Sequence, residues 1–128
     1  MPKTSWISFA PARPGTTYLA LLSYLPLRHF RAIPKFFRYT THTQRQLKTT
    51  PGIVGYALLA RPFSRQFWTL SVWKDQQSLN DFVRQIPHSQ VMQALAPHMG
   101  ETNFAQWTVT SAEIPLDWPT ALARLNQS

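Results

Sequence analysis

The stretch Phe67-Trp-Thr-Leu-Ser-Val-Trp73-Lys-Asp75, followed by Gln76 to Met92, changes its hydrophobic period from two to about 3.6 at one sharp point. It predicts a strand that feeds an amphipathic helix. Within the strand, Trp68, Leu70 and Val72 alternate with Phe67, Thr69, Ser71 and Trp73. Both sets are largely apolar, so both faces of the sheet are expected to be covered. Asp75 has the side chain of an N-cap, and Leu79, Phe82, Val83 and Ile86 then share one helical face until Pro87 interrupts the run.

Upstream of this switch, Tyr18 to Leu25 reads as a buried strand closed by Pro26. Pro34 suits the first turn of a helix running to about Lys48, with Ile33, Phe37, Thr40, Gln44 and Leu47 inward. Pro51-Gly52 ends it. Ile53 to Ala60 forms a second strand, joined to the third through Arg61-Pro-Phe-Ser-Arg65 as an antiparallel hairpin. Beyond Pro87 a second helical piece is expected through Val91, Met92 and Leu95. Asn103 to Ser111 reads as a fourth strand, and Asp117 caps a tail helix over Trp118 to Leu125. The order β-α-β-β-α-β plus a C-terminal helix is an α+β arrangement, the ferredoxin-like split sandwich. Residues 1–16, with Pro2, Pro11, Pro14 and Gly15, are expected to form an extended N-terminal arm, and residues 17–128 a single ferredoxin-like domain. Both helices of such a sandwich lie on one face. The apolar second face therefore calls for a partner copy packed sheet against sheet in a two-fold homodimer.

Composition narrows the function classes. A chain of 128 residues buries roughly 65–70% of its unfolded surface around a single core. It has no cysteine, which excludes disulfides, thiolate metal sites and a cysteine nucleophile and suits a reducing compartment. Met1 to Ala10 makes a poor signal peptide. The apolar run Tyr18 to Leu27 contains Ser23 and Pro26 and falls far short of the ~20 residues that span a bilayer. A soluble, cytoplasmic protein is expected. The net charge of +8 is uneven: all five acids lie after Lys74, whereas eleven of the thirteen Lys and Arg lie at or before it. Arg31, Lys35, Arg38, His42 and Arg45 form a continuous basic stripe on the first helix. It reads as a solvated face or as a docking surface for an anionic membrane through Arg31, Lys35, Arg38 and Arg45. Nucleic acid is not the expected partner, because the stripe lacks interleaved aromatics. The five scattered acids predict no carboxylate metal site, and no Walker loop, HExxH element or Gly-x-Ser-x-Gly elbow occurs.

Residues 49–107 resemble the dimeric α/β-barrel superfamily, in particular its antibiotic-biosynthesis-monooxygenase-like branch. The residues that carry this are Pro51-Gly-Ile-Val-Gly-Tyr56, Phe67 to Trp73 with Asp75, then Leu79, Phe82 and Pro87-His88 leading to Met92. The Trp-then-acidic-helix and Pro-His elements are also similar to spheroidene-monooxygenase-like proteins. The resemblance implies a homodimer acting on a small hydrophobic molecule by cofactor-free oxidation. It offers as an alternative a haem-dependent oxygenase on carotenoid-like substrates. Haem-degrading members place an aromatic on the second helix and an iron-ligating histidine ten residues later; here those positions hold Phe82 and Met92.

His88 is the candidate catalytic residue. It follows Pro87 at the start of a helical segment, whose positive dipole end favours a neutral imidazole that accepts a proton. A histidine that only buttresses the break between two helical pieces is the competing reading. The candidate substrate-binding residues are Trp73, Trp107, Tyr56 and Phe82 as cavity-lining aromatics, with Arg84 and Asn103 as polar groups beside them. A non-enzymatic interaction module using the basic helix is the alternative from a different class.

Overall fold

The computed structural model describes residues 6–9, 13–84, 93 and 95–127. In chain order the elements are β1 (Ile7–Ser8), β2 (Thr17–Tyr24), α1 (Ile33–Leu47), β3 (Ile53–Arg61), β4 (Gln66–Trp73), α2 (Gln76–Arg84), β5 (Asn103–Thr110) and α3 (Trp118–Gln127). The strands form one antiparallel sheet in the order β1-β3-β4-β2-β5. Without β1 this is the ferredoxin-like order, in which each helix crosses over one intervening strand. Ile86, Pro87, His88, Val91 and Met92 lie outside the described residues.

The switch at Asp75 is built as its residue types dictate. The Asp75 carboxylate accepts the Ser78 N–H at 2.8 Å, which caps α2, and this backbone hydrogen bond, first among the causes, holds the Asp75 carboxyl below its ordinary value. Asp117 caps α3 in the same way, accepting the Thr120 N–H at 2.9 Å. Gly52, at φ 86°, turns the chain into β3; a Cβ there would collide with the Ser78 hydroxyl. The turn and the start of α2 are thereby locked together.

Alternation along β4 sorts the core. Phe67 and Trp73 face α1 and α2, while Trp68, Leu70 and Val72 face the opposite side. That opposite face, expected to need a partner copy, is covered by the chain itself. Trp118 and Ala121 of α3, flanked by Leu122, Leu125 and Trp6, pack on Leu22, Leu59, Trp68 and Leu70. The bare-face premise of the sheet-to-sheet dimer is therefore replaced: a C-terminal helix of ten residues folds back over the strands, as an amphipathic helix must when an apolar surface lies within reach.

One detail of the arm was not legible in sequence, and one in α1 differs from the expectation. The arm carries a strand of its own, Ile7 pairing with Tyr56 and Ser8 with Gly55, and the Phe9 N–H reaches the Val54 carbonyl at 2.9 Å. Along α1 the inward residue is Phe36 rather than Phe37. A 3₁₀ turn, Phe30–Ala32, precedes the helix and sets its rotation so that Ala32, Phe36 and Leu47 are buried and Phe37 is turned outward.

Candidate functional site

The face covered by α1 and α2 is closed at both ends and half-open between them. At the β3–β4 hairpin end, Leu27, Ala32, Phe36, Phe67, Leu95 and Met99 form one block. At the other, Leu47, Ile53, Tyr56, Trp73, Leu79 and Phe82 form a second. Three of the expected substrate residues, Tyr56, Trp73 and Phe82, thus come together. The Trp73 and Phe82 rings lie 5.1 Å apart, and Tyr56 stacks on Phe9 at 5.7 Å. Trp73 is only 1% exposed, and its indole N–H donates to the Ser71 hydroxyl at 2.9 Å, so its buried donor is satisfied within its own strand. Burial pushes the Tyr56 phenol above its ordinary value.

Between the blocks runs a half-buried strip. Strand register places Leu21 beside Ser71 and Gln106, and Leu58 beside Thr69. Leu19, Leu21 and Leu58 pack against the Tyr56 and Trp73 block without being closed over. Thr69 and Ser71 supply hydroxyls along the same strip, both half-buried. A small cavity of about 40 Å³ under α1, lined by Phe36, Phe37, Leu58, Ala60, Phe67 and Thr69, continues from it. Its volume is that of a single water. This strip is what a flat apolar molecule could lie on, and Thr69, Ser71, Leu21 and Leu58 are not among the substrate-binding residues expected from sequence. Alternation in β4 already groups Thr69 and Ser71 with Trp73; what sequence lacks is that the middle of this face stays partly open.

The other candidates are not brought to this place. Trp107 pairs in register with Ala20, on the α3 face of the sheet, where the Arg124 guanidinium sits 5.6 Å from its ring. Asn103 is exposed at the start of β5 and accepts the Phe104 N–H at 2.9 Å. Arg84 is exposed in the last turn of α2. His88 lies outside the described residues. Of the histidines that are described, His29 and His42 are exposed, and His98 is half-buried with its ring 3.4 Å from the Lys35 ammonium. Among the described residues no group of three or more His, Cys, Asp or Glu could hold a metal ion, and no helix is long and apolar enough to cross a membrane. A larger cleft of about 350 Å³ lies elsewhere, at the end of the sheet where β3 begins and β4 ends, between Arg13, Tyr18, Val54 and Lys74.

No protein-family model and no curated relative matches the amino-acid sequence. Solved structures do match its shape. A structure described as an antibiotic biosynthesis monooxygenase aligns with 70% of this chain and 95% of its own, at a TM-score of 0.63 and 12% identity. The chain has the fold of the antibiotic-biosynthesis-monooxygenase-like proteins. SnoaB of Streptomyces nogalater, described as a cofactor-independent oxygenase, shares it at a TM-score of 0.59 and 16% identity over 78% of this chain and 98% of its own. So does a protein of Thermobifida fusca described as dimeric, ferredoxin-like and of unknown function, at 0.62 and 10% identity over 76% and 95%. A candidate monooxygenase from Lactobacillus acidophilus aligns with 83% of this chain at 0.66 and 9% identity, and this chain spans 51% of that longer protein.

Proposed function

We propose that this protein binds a small hydrophobic substrate on the α1/α2 side of its sheet and oxidises it with O₂ without a metal or organic cofactor, as a homodimer in the cytoplasm. The observation that carries the reading is the half-open strip of Leu19, Leu21 and Leu58, edged by Thr69 and Ser71 and abutting the block of Tyr56, Trp73 and Phe82. The fold shared with a cofactor-independent oxygenase supports it. In this chemistry a base, His88, removes a proton from an electron-rich methylene, and the carbanion passes electrons to O₂. One oxygen atom becomes the carbonyl oxygen of the product and the other leaves as water, so no external reductant is consumed. The apolar floor keeps water from the carbanion, and the hydroxyls orient the substrate's own oxygen.

His88→Ala is expected to abolish O₂ consumption with activated-methylene or phenolic substrates while leaving the unfolding midpoint nearly unchanged. A loss of stability of about 1–3 kcal/mol would mark His88 as a structural residue instead. The haem alternative predicts a Soret band in the protein as purified. For the homodimer, support comes from the neighbour described as dimeric; since α3 lies on the strands, the contact would use surfaces that α3 leaves uncovered. Sedimentation at micromolar concentration should give twice the 14.8 kDa chain mass, and a 14.8 kDa species would refute it. A second reading, docking on an anionic membrane through α1 and the 3₁₀ turn before it, is favoured by Arg31, Lys35, Arg38 and Arg45 all being exposed.

A further inference from the structure

The hairpin between β3 and β4 ends in the 3₁₀ turn Pro62–Ser64, closed by Arg65 in the left-handed region at φ 56°. On its tip Phe63 is 95% exposed. Two more phenylalanines are open at the same end: Phe30, 57% exposed, and Phe37, 44% exposed. Arg65 ties the hairpin to the segment that carries Phe30. Its guanidinium donates to the Arg28 carbonyl and lies 5.3 Å from the Phe30 ring, while its own carbonyl accepts the Leu27 N–H at 2.8 Å. Phe37 meets Phe67 of β4 edge-on at 5.6 Å, which places it just below the hairpin tip. Single exposed apolar side chains are ordinary; three exposed aromatics gathered at one end of the sheet are a surface with a use.

The rim of this surface is cationic. Arg28, Arg31, Lys35, Arg38 and Arg61 are all exposed, and the first 74 residues hold no acid. Glu101 follows Gly100, whose N–H donates to the Pro26 carbonyl. A second copy of this chain fits the surface poorly, because two-fold pairing would set this cationic rim against itself. A nucleic-acid strand wants a groove that tracks its backbone, and Phe63 stands on the convex tip of a turn.

We infer that this end of the molecule seats in an anionic lipid bilayer, with Phe63, Phe30 and Phe37 entering the boundary between headgroups and acyl chains and the arginines and lysines lying against lipid phosphate and carboxylate. The inference rests on the reading of α1 as membrane-docking, and moves the contact from the side of that helix to its first turn and the hairpin tip.

The test uses the full chain with vesicles of phosphatidylcholine, with and without phosphatidylserine. The protein should float with the anionic vesicles alone. Phe63→Ser, at a position nothing packs on, should keep the unfolding midpoint and lower vesicle affinity by about tenfold. Because the chain has no cysteine, Phe63→Cys can carry one environment-sensitive fluorophore, whose emission should shift to the blue on anionic vesicles. If Arg31→Gln/Lys35→Gln/Arg38→Gln abolishes flotation while Phe63→Ser and the label respond to nothing, α1 docks on lipid and the inserted tip is wrong. If the unsubstituted protein ignores anionic vesicles, or binds a single-stranded oligonucleotide in preference to them, both are wrong.

Discussion

The two faces of this sheet are closed by different means. On the α3 side, Leu22 and Leu70 are sealed from water by α3, and Ala20, Val72 and Val109 by Trp6, Trp107, Ile114 and Leu116. On the α1/α2 side, two blocks of large aromatics close the ends and a strip of half-buried leucines and hydroxyls is left between them. The first face has the packing of an interior, in which every methylene has neighbours. The second gives up some of that packing along the strip. Adjacent residues on one strand therefore belong to different regimes.

Leu21 and Leu22 are the sharpest probe of this contrast. Leu22→Asp places an unpaired carboxylate beneath α3 and is expected to cost at least about 4–5 kcal/mol, seen as an unfolded or molten chain by circular dichroism. Leu21→Asp points to the half-open strip and should cost only about 1–3 kcal/mol, with the fold retained. Equal losses from the two would erase the distinction between the faces. Between these extremes, Trp73→Ala should cost about 3–5 kcal/mol in urea unfolding, since Trp73 is the joint between β4 and α2. A loss under about 1 kcal/mol would mean that this block is loose and that the opening extends to it.

Smaller effects appear in pH dependence. Asp75 and Asp117 both titrate below the ordinary carboxylate range because each accepts a backbone N–H at a helix start. The stability they contribute is present above the unfolded value, ~3.9, and is lost as pH falls through their lowered folded values. Asp75→Ala should remove this acid-limb dependence at α2, and Asp117→Ala at α3. If the Asp117 change alone loosens the α3 face, the two regions are independently capped. Tyr56 works at the other end of the scale. Its phenol is raised by burial, so its contribution is present below ~10 and is lost as pH rises toward the folded value. Tyr56→Phe should flatten that alkaline limb.

Much of this was legible before any coordinates. The helix expected from Pro34 to about Lys48 is Ile33–Leu47, and the strands expected at 18–25, 53–60 and 67–73 are Thr17–Tyr24, Ile53–Arg61 and Gln66–Trp73. Strong local periods with proline and glycine punctuation carry such boundaries. Of the site, Tyr56, Trp73 and Phe82 were legible as neighbours because β3, β4 and α2 meet in any ferredoxin-like sandwich. Trp107 was not separable from them. Alternation fixes parity within one strand, whereas relative parity between β4 and β5 depends on register through β2, a pairing about 85 residues long-range in chain terms that no local pattern encodes.

The amino-acid sequence by itself determined the order of elements, the capping of α2 and α3, the two apolar sides of β4 and the acid-free basic half, because each depends on residues a few positions apart. Only the tertiary structure decided what lies over the second apolar side, that the arm adds a strand at the edge of β3, that α1 is rotated to bury Phe36 and expose Phe37, and that Phe30, Phe37 and Phe63 share one end. Hydrophobic burial is proportional to area and indifferent to which partner supplies it. A sequence can therefore demand that a face be covered without naming the segment that covers it.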